Sequence, residues 1–250
     1  MEIQIRSYED IDSTNAEAKR LAKRGAPEGI LVVAEAQTAG RGRGGHRWDS
    51  PPGGSIYMSI LLRPKFEPKI APMLTLLMAN SVADAVLECT GLEVRIKWPN
   101  DLVLHGKKIC GILTEMEVMQ NEIQNVVIGV GINVNMKEFS EEIQDTATSL
   151  LLEGGKTVDR EKLIASAGRH FAADYDQFCK DRDLRSFQKH YNERLINRGR
   201  EVQILGEKES YRGLAEGINE AGELLVTREN GRKETVRAGE VSVRGVYGYV

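Results

Sequence analysis

The sequence is poor in cysteine and has no excess of positive charge, and both features narrow the class of protein. Its 250 residues include three cysteines, Cys89, Cys110 and Cys179, which lie far apart and form no C-x-x-C pair. This pattern argues against a disulfide framework or a structural zinc site and is typical of a reducing compartment, so we expect a cytoplasmic protein. The formal net charge is −3. A protein that coats nucleic acid neutralises many phosphates and is usually basic, so this class is disfavoured.

The sequence also gives no sign of a secretory or membrane-spanning segment. The N-terminal stretch MEIQIRSYED has no apolar core of a secretory signal, and we expect no apolar run long enough to cross a bilayer. Hydrophobic residues make up 41% of the chain, which is enough to bury a sizeable core. The length fits one large domain with a small satellite.

Apolar periodicity and turn residues predict an α+β part followed by a small β part, with domains at 1–197 and 198–250. A first helix is capped by Ser13 or Thr14. The remaining predicted elements are strands at 30–36, 55–62, 92–98 and 125–135, a hairpin around His105-Gly106, and helices at 71–91, 159–180 and 183–196. The polar, aperiodic segment 136–148 predicts a mobile loop. After residue 198, short strands and turn pairs such as Asn230-Gly231 predict a small β-barrel.

Residues 38–48, TAGRGRGGHRW, contain the G-x-G-x-x-G spacing of a dinucleotide-binding turn. That fingerprint needs a helix after the glycines, and the following DSPPGG cannot propagate one. A P-loop is excluded because no Gly-Lys-Ser/Thr follows, and an RNA-binding tail would repeat the arginine–glycine unit. Approachable glycine backbone, fixed arginines and the flat face of Trp48 suit a ligand with anionic groups and a planar base. Taken alone, a surface hairpin with incidental arginines fits equally well.

Three other segments place polar groups at strand ends. KWPNDL at 97–102 gathers a lysine, an asparagine and an aspartate around a proline turn, although such a turn is common. KKICGIL at 107–113 puts Lys107 and Lys108 on opposite faces of a strand, so one of them points inward and needs an anionic partner. GVGINVN at 129–135 has two glycines inside a strand, which weaken it unless something packs on the backbone.

Together these segments resemble the biotin protein ligases, also called biotin–[acetyl-CoA-carboxylase] ligases. The resemblance runs through almost the whole chain in order and spacing. It depends on STN (13–15), EAQTAGRGRGGHRW (35–48), KWPNDL (97–102), KKICGILTE (107–115), GVGINVN (129–135) and GEVSVR (239–244). Members of this family use ATP to convert biotin to biotinyl-5′-AMP and then pass biotin to one lysine of a biotin carboxyl carrier protein. The resemblance implies an α+β fold with a mixed sheet like class II aminoacyl-tRNA synthetase cores, and a C-terminal Src-homology-3-like barrel.

For biotin, the resemblance implies a pocket in which polar groups on otherwise apolar walls meet the ureido ring. The implied biotin-binding residues are Ser13, Thr14, Asn15, Gln37, Gly40, Arg41, Gly42, Arg43, Lys108, Gly111, Leu113, Gly129 and Gly131. The strand glycines among them would let the ring system lie against the sheet. Ser13 and Thr14 also have a simpler interpretation as helix-capping residues.

For ATP, the resemblance implies that Trp48 stacks on adenine and that Mg²⁺ binds through the triphosphate with few protein ligands. The implied ATP-binding residues are Arg43, His46, Trp48, Lys97, Asn100, Asp101, Lys108, Asn133 and Arg244. The biotin carboxylate and the α-phosphate are both anionic, so positive charge must bring them together. Arg43 and Lys108 match the charge-neutralising pair of the family. Asp101 is the candidate that orients or deprotonates the acceptor amine.

The sequence departs from the family pattern at three places. His46 stands where many relatives carry arginine, and a neutral imidazole would contribute less charge. Cys110 replaces a small apolar residue and is interpreted as a core filler. The catalytic part begins almost at Met1, without a helix-turn-helix domain before it, so we expect a ligase that binds no nucleic acid and no membrane. A homodimer is left open by the sequence.

Two rival functions remain at this stage. A lipoate or octanoate ligase of the same superfamily would share the core sheet, but such proteins usually carry an arginine-arginine then glycine-triplet motif in place of GRGRGGHRW. A non-enzymatic nucleotide- or nucleic-acid-binding module built on the basic loop is disfavoured by the acidic balance of the chain.

Overall fold

A seven-stranded mixed sheet forms the larger part of the protein. The structure is a computed structural model that describes residues 1–206, 209–238 and 241–245, the last range mainly as backbone. The strands of this sheet are β1 (Gln4–Ile11), β2 (Ile30–Gln37), β3 (Ser55–Leu62), β4 (Arg95–Lys97), β5 (Asp101–Leu104), β6 (Lys107–Met119) and β7 (Glu122–Asn133). The spatial order is β1-β2-β3-β7-β6-β5-β4. Only β1 and β2 pair in parallel among these described pairings.

The sheet is covered on both faces by helices. They are α1 (Thr14–Lys23), α2 (Met73–Thr90), α3 (Leu150–Gly154), α4 (Arg160–Asp181) and α5 (Gln188–Arg194). Helix α1 packs on β2, β3 and β7, whereas α2 packs on β4 to β7 and against α4. Because both faces are covered, every residue of β3 is buried, which explains its unbroken apolar sequence. The α+β fold with a mixed sheet, which the family resemblance implies, is confirmed.

The ends of the helices follow the capping residues of the sequence. Ser13 is the N-cap of α1, and its side chain accepts a hydrogen bond from the Ala16 amide. Helix α2 ends at Gly91, which adopts a left-handed conformation with φ 73°. The apolar residues of α2 at helical spacing, Leu74, Leu77, Val82, Ala85 and Val86, are buried, whereas Cys89 in the last turn is exposed.

Several predicted boundaries need correction. The last helix of the first part is shorter than 183–196, and β4 is shorter than 92–98. The short helix α3 and the edge strand β1 were not predicted. Most residues of β1 are exposed, and its apolar residues Ile5, Tyr8 and Ile11 lie three apart, so no regular alternation of apolar and polar residues predicts a strand here. The hairpin turn at His105-Gly106 is confirmed, with φ values of 47° and 83°.

Helix α2 is long and consists mostly of apolar residues. With the preceding turn, the segment Pro68–Thr90 is long and apolar enough to cross a membrane by length and composition alone. The expectation that no such run exists is therefore wrong. Within this segment, 72% of the most apolar 18-residue stretch is buried inside the protein, as expected for a core helix.

A five-stranded antiparallel sheet follows, formed by β8 (Glu201–Gly206), β9 (Ser210–Ile218), β10 (Leu224–Arg228), β11 (Lys233–Val236) and β12 (Val241–Gly245), in the order β11-β10-β9-β8-β12. Gly231, with φ 81°, lies in the turn between β10 and β11 as predicted. The buried Trp98 joins the two sheets, because its indole Nε1 donates to the Gly222 carbonyl at 3.1 Å. The boundary at 197/198 and the closure of this sheet into a barrel stay predictions.

Candidate active site

A large cleft opens where the two sheets meet. Its volume is about 1260 Å³, and it is lined by the glycine-rich loop, the turn between β4 and β5, the segment 136–147, and Leu205 and Val243 from the second sheet. A smaller cavity of about 50 Å³ lies beside it, between the start of α1 and the strands β6 and β7. The two cavities have some lining residues in common: Gly42, Arg43, Trp48, Asn100 and Lys108.

The glycine-rich loop leaves β2 and returns to β3 as a closed hairpin-like turn. The Gly42 amide donates to the His46 carbonyl at 2.7 Å, and the Trp48 amide donates to the Gly40 carbonyl at 3.0 Å. A single 3₁₀ turn at Arg43–Gly45 contains Gly44 with φ 68°. The next regular element is a strand, so the rejection of the dinucleotide-binding interpretation is confirmed.

Trp48 folds back onto the glycines of the central strands. A carbon atom added as Cβ at Gly131 would lie 2.6 Å from Trp48 Cε2, and one at Gly111 would lie 2.9 Å from Trp48 Cζ3. One at Gly129 would lie 2.1 Å from Asn15 Oδ1. The glycines were expected to leave room for a ligand, but the groups that lie on them here are the side chains of Trp48 and Asn15.

Lys108 and Asp101 form the charged centre of the site. The Lys108 Nζ lies 2.6 Å from Asp101 Oδ1, and the two side chains are 25% and 14% exposed. The ammonium also lies 5.3 Å from the centroid of the Trp48 ring, within the range of a cation–π contact. The Lys108 backbone amide donates to the Thr146 carbonyl at 2.7 Å, which ties the lysine to the end of the segment 136–148.

The neighbouring lysine has the opposite orientation. Lys107 Nζ donates to the Gln144 carbonyl at 3.0 Å in an exposed contact. The sequence left open which of the two lysines points inward, with Lys108 preferred, and the structure places Lys108 there. Cys110, two residues after Lys108 in β6, is fully buried, and burial raises the pKa of its thiol well above the usual range. A buried thiol of this kind is a core filler and a poor nucleophile.

The small cavity has a polar wall built from the start of α1 and the end of β2. The Gln37 Oε1 accepts hydrogen bonds from the Thr14 amide at 2.9 Å and from the Thr14 hydroxyl at 3.1 Å. The Gln37 Nε2 donates to Ser50 Oγ at 2.9 Å, which in turn donates to the Trp48 carbonyl at 3.0 Å. The wall is therefore connected to the glycine-rich loop by hydrogen bonds.

The structure distributes the predicted site residues over the two cavities. Those that line the small cavity are Ser13, Thr14, Asn15, Gln37, Arg41, Gly42, Arg43, Lys108, Gly111, Leu113, Gly129 and Gly131. Gly40 is not among them. A Cβ at Gly40 would lie 2.4 Å from the Trp48 carbonyl oxygen, so this glycine permits the tight turn of the loop.

Those that line the large cleft are Arg43, His46, Trp48, Lys97, Asn100, Asp101, Lys108 and Asn133. The backbone of Arg244 pairs with Gln203 in the second sheet, but its side chain lies outside the described residues. Two of the lining residues hold the walls of the cleft, since Asn133 Nδ2 donates to the Thr148 carbonyl at 3.1 Å and Asn100 Nδ2 to the Ile112 carbonyl at 3.2 Å.

Sequence reasoning missed two polar residues behind the small cavity. Ser59 is fully buried in β3, and its hydroxyl lies 2.5 Å from Asn15 Oδ1. Glu115 accepts a hydrogen bond from Asn15 Nδ2 at 2.8 Å and pairs with Lys19. A hydroxyl within the apolar run SIYMSILL was the one available signal for Ser59. Glu115 ends the KKICGILTE segment, but no pattern linked it to α1.

A small polar cavity lies beside a cleft that contains a paired lysine and aspartate. This arrangement suits an enzyme that joins a compact polar ligand to an anionic one. Comparison with known proteins agrees with this class. The sequence profile of the Biotin/lipoate A/B protein ligase family matches residues 8–133, and that of the Biotin protein ligase C terminal domain matches residues 199–244. The chain belongs to the Biotin/lipoate A/B protein ligase family.

Relatives with known names cover most of the chain. A Biotin--[acetyl-CoA-carboxylase] ligase from Paracoccus denitrificans is 33% identical over 94% of this chain and 98% of its own length. The Bifunctional ligase/repressor BirA of Bacillus subtilis is 36% identical over 92% of this chain and 72% of its own length. Among solved structures, the biotin protein ligase from Aquifex aeolicus in complex with biotin and ATP superimposes with a TM-score of 0.83 at 32% identity. That superposition covers 97% of this chain and 99% of the other.

Proposed function

We propose that this protein activates biotin with ATP to biotinyl-5′-AMP, releases pyrophosphate, and transfers biotin to a lysine of a biotin carboxyl carrier protein such as that of acetyl-CoA carboxylase. The observation that carries the proposal is the wall common to the two cavities. It brings Arg43 and Lys108 to the place where a ligand in the small cavity would meet a ligand in the large cleft.

We assign the small cavity to biotin and the cleft to ATP because of the residues that line them. The hydroxyl and amide groups of Thr14 and Gln37 suit the donors and acceptors of a ureido ring, whereas octanoate and lipoate carry no such groups beyond the carboxylate and would leave this polar wall unpaired. The cavity of about 50 Å³ is too small for a biotin ring system. Biotin binding therefore requires Trp48, which covers Gly111 and Gly131, to shift outward.

In the first step, the biotin carboxylate attacks the α-phosphorus of ATP. Repulsion between the two anions is the main obstacle, and the cationic side chains of Arg43 and Lys108 would offset it most strongly where water is excluded. Among the described residues, no group of three or more acidic, histidine or cysteine side chains is placed to hold a metal ion. Mg²⁺ would bind mainly to the phosphates of ATP, with few protein ligands, and would neutralise their charge there.

In the second step, the carrier lysine attacks the carbonyl of biotinyl-5′-AMP and AMP leaves. The lysine must be neutral to attack, and Asp101, on the cleft wall, is the carboxylate that we assign to orient or deprotonate it. Its ion pair with Lys108 holds both groups in place before substrates bind.

The experiment that tests the function is pyrophosphate exchange into ATP, measured separately with biotin, lipoate and octanoate. We expect exchange with biotin alone, and a loss of about 100-fold or more in Lys108→Ala, the order expected when a charge that stabilises the transition state is removed. Lys107→Ala is the matched control, because that adjacent lysine points away from the cleft. Exchange with lipoate or octanoate in place of biotin would overturn the substrate assignment, and equal losses in both variants would overturn the role of Lys108.

We further propose that the protein acts in the cytoplasm and binds no nucleic acid, and that 1–197 forms the catalytic domain and 198–250 the small one. A filter-binding assay with duplex DNA over a salt series tests the second point, because binding to phosphates weakens steeply as salt rises. A homodimer is tested by sedimentation with and without biotin and ATP.

A further inference from the structure

Glu115 lies one step behind the small cavity and contacts a residue that lines it. Its Oε2 accepts a hydrogen bond from Asn15 Nδ2 at 2.8 Å, and its Oε1 lies 2.5 Å from Lys19 Nζ. Burial alone raises the pKa of Glu115, but the hydrogen bonds from Lys19 and Asn15 outweigh this and lower the pKa below its usual value. Glu115 is therefore ionised at neutral pH, and a carboxylate can only accept hydrogen bonds.

The carboxylate fixes the direction of the Asn15 amide. Asn15 is 5% exposed, so it cannot turn to water. Because Glu115 only accepts, the NH₂ group of Asn15 must point to it, and Asn15 Oδ1 then faces Ser59. The Ser59 hydroxyl lies 2.5 Å from that oxygen and must donate its one proton there.

The same ordering continues to Thr14. The Ser59 and Thr14 hydroxyl oxygens are 2.7 Å apart. With the Ser59 proton used by Asn15, the Thr14 proton is directed either to Ser59 or to Gln37 Oε1, which lies 3.1 Å away. Both targets belong to the network, so a ligand in the cavity meets the Thr14 oxygen as an acceptor. An acceptor at this position suits an N–H group of a ureido ring.

We propose that Glu115 is a positioning residue for biotin recognition, which orients Asn15 and Ser59 so that Thr14 accepts a hydrogen bond from a ureido N–H of biotin. The inference rests on the proposed function. It predicts that the contribution of Glu115 is specific to ligands that carry that N–H group, and that it does not extend to ATP.

The test is calorimetric titration of biotin, and of biotin methylated on a ureido nitrogen, into the full-length protein. Glu115→Ala is expected to weaken biotin binding about tenfold or more, since a charge-assisted hydrogen bond is lost and the buried amide is free to rotate. The variant should discriminate less between biotin and its methylated derivative than the wild type does, while KM for ATP changes less than about twofold. Glu115→Gln keeps an acceptor oxygen and should recover most of the affinity.

The chain offers a matched control on the same strand. Glu117 Oε2 accepts a hydrogen bond from Asn125 Nδ2 at 2.9 Å, which is the same kind of contact away from both cavities. Glu117→Ala should leave biotin affinity unchanged. Ser59→Ala interrupts the network one step further on and should reproduce the loss, which keeps the test decisive if Glu115→Ala fails to fold.

The outcomes separate this inference from the proposed function. Biotin affinity within about twofold of the wild type in Ser59→Ala, or in a folded Glu115→Ala, would overturn it, as would an equal loss in Glu117→Ala. An equal loss for biotin and its methylated derivative would also overturn it. If the wild type exchanges pyrophosphate with biotin while the variants bind biotin normally, the function stands and only the role of Glu115 is wrong.

Discussion

Gly129 in β7 offers the sharpest prediction about how the sheet supports the small cavity. A methyl group at this position would lie 2.1 Å from Asn15 Oδ1 and 2.9 Å from Asn15 Cγ, so Gly129→Ala must displace the Asn15 side chain. Displacement breaks one hydrogen bond to a hydroxyl and one to a carboxylate, which contribute about 1 and about 1.5–3 kcal/mol respectively. The Gly→Ala change also lowers the conformational entropy of the unfolded chain, which stabilises the folded state by about 0.4–1 kcal/mol. We therefore expect a net loss of about 1.5–3.5 kcal/mol in the free energy of unfolding.

The assay is equilibrium unfolding in urea, with the slope checked so that a change in midpoint reports a change in stability. Gly131→Ala is the comparison, because its added methyl would lie 2.6 Å from the Trp48 ring. That ring projects from a loop and can swing outward, so we expect a loss below about 1 kcal/mol, mainly the cation–π contact with Lys108. Equal losses in the two variants, or a loss below about 1 kcal/mol for Gly129→Ala, would refute the view that Asn15 is held rigidly.

Two further predictions concern the chemistry and the pH dependence. Asp101→Asn is expected to slow biotin transfer from preformed biotinyl-5′-AMP by about 100-fold, the usual contribution of a general base, and a transfer rate equal to that of the wild type would exclude that role. The hydrogen bonds from Arg169, His170 and Ser166 lower the pKa of Glu88 to about 2. Because the folded pKa is below the unfolded one of about 4.3, the stabilisation is present above pH 5 and is lost as the pH falls towards 2. Urea midpoints at pH 6 and pH 3 should therefore differ less in Glu88→Gln than in the wild type, and equal differences would contradict this.

Short-range patterns in the sequence predicted the main elements correctly. The Ser13 cap of α1, Gly91 at the end of α2 and the His105-Gly106 turn were predictable because each depends on the backbone preferences of one or two residues. The edge strand β1 could not be predicted in this way. Its residues are mostly exposed, and its apolar residues do not alternate regularly with polar ones. The strand is stabilised by pairing with β2, which the local sequence does not reveal.

The sequence by itself determined the family and the residue types of the site, since the glycine-rich loop, the KWPNDL turn and the KKICGIL strand carry their chemistry in fixed local order. It also determined that one of two adjacent lysines must face inward, because side chains alternate along a strand. Only the tertiary structure decided that Trp48 lies on Gly131 and that Asn15 lies on Gly129. It also decided that Glu115 accepts a hydrogen bond from the side chain of Asn15, one hundred residues earlier in the chain. Those contacts join β6 and β7 to α1 and to the loop after β2. They could not be predicted because local sequence preferences carry no information about which distant side chain packs on a glycine.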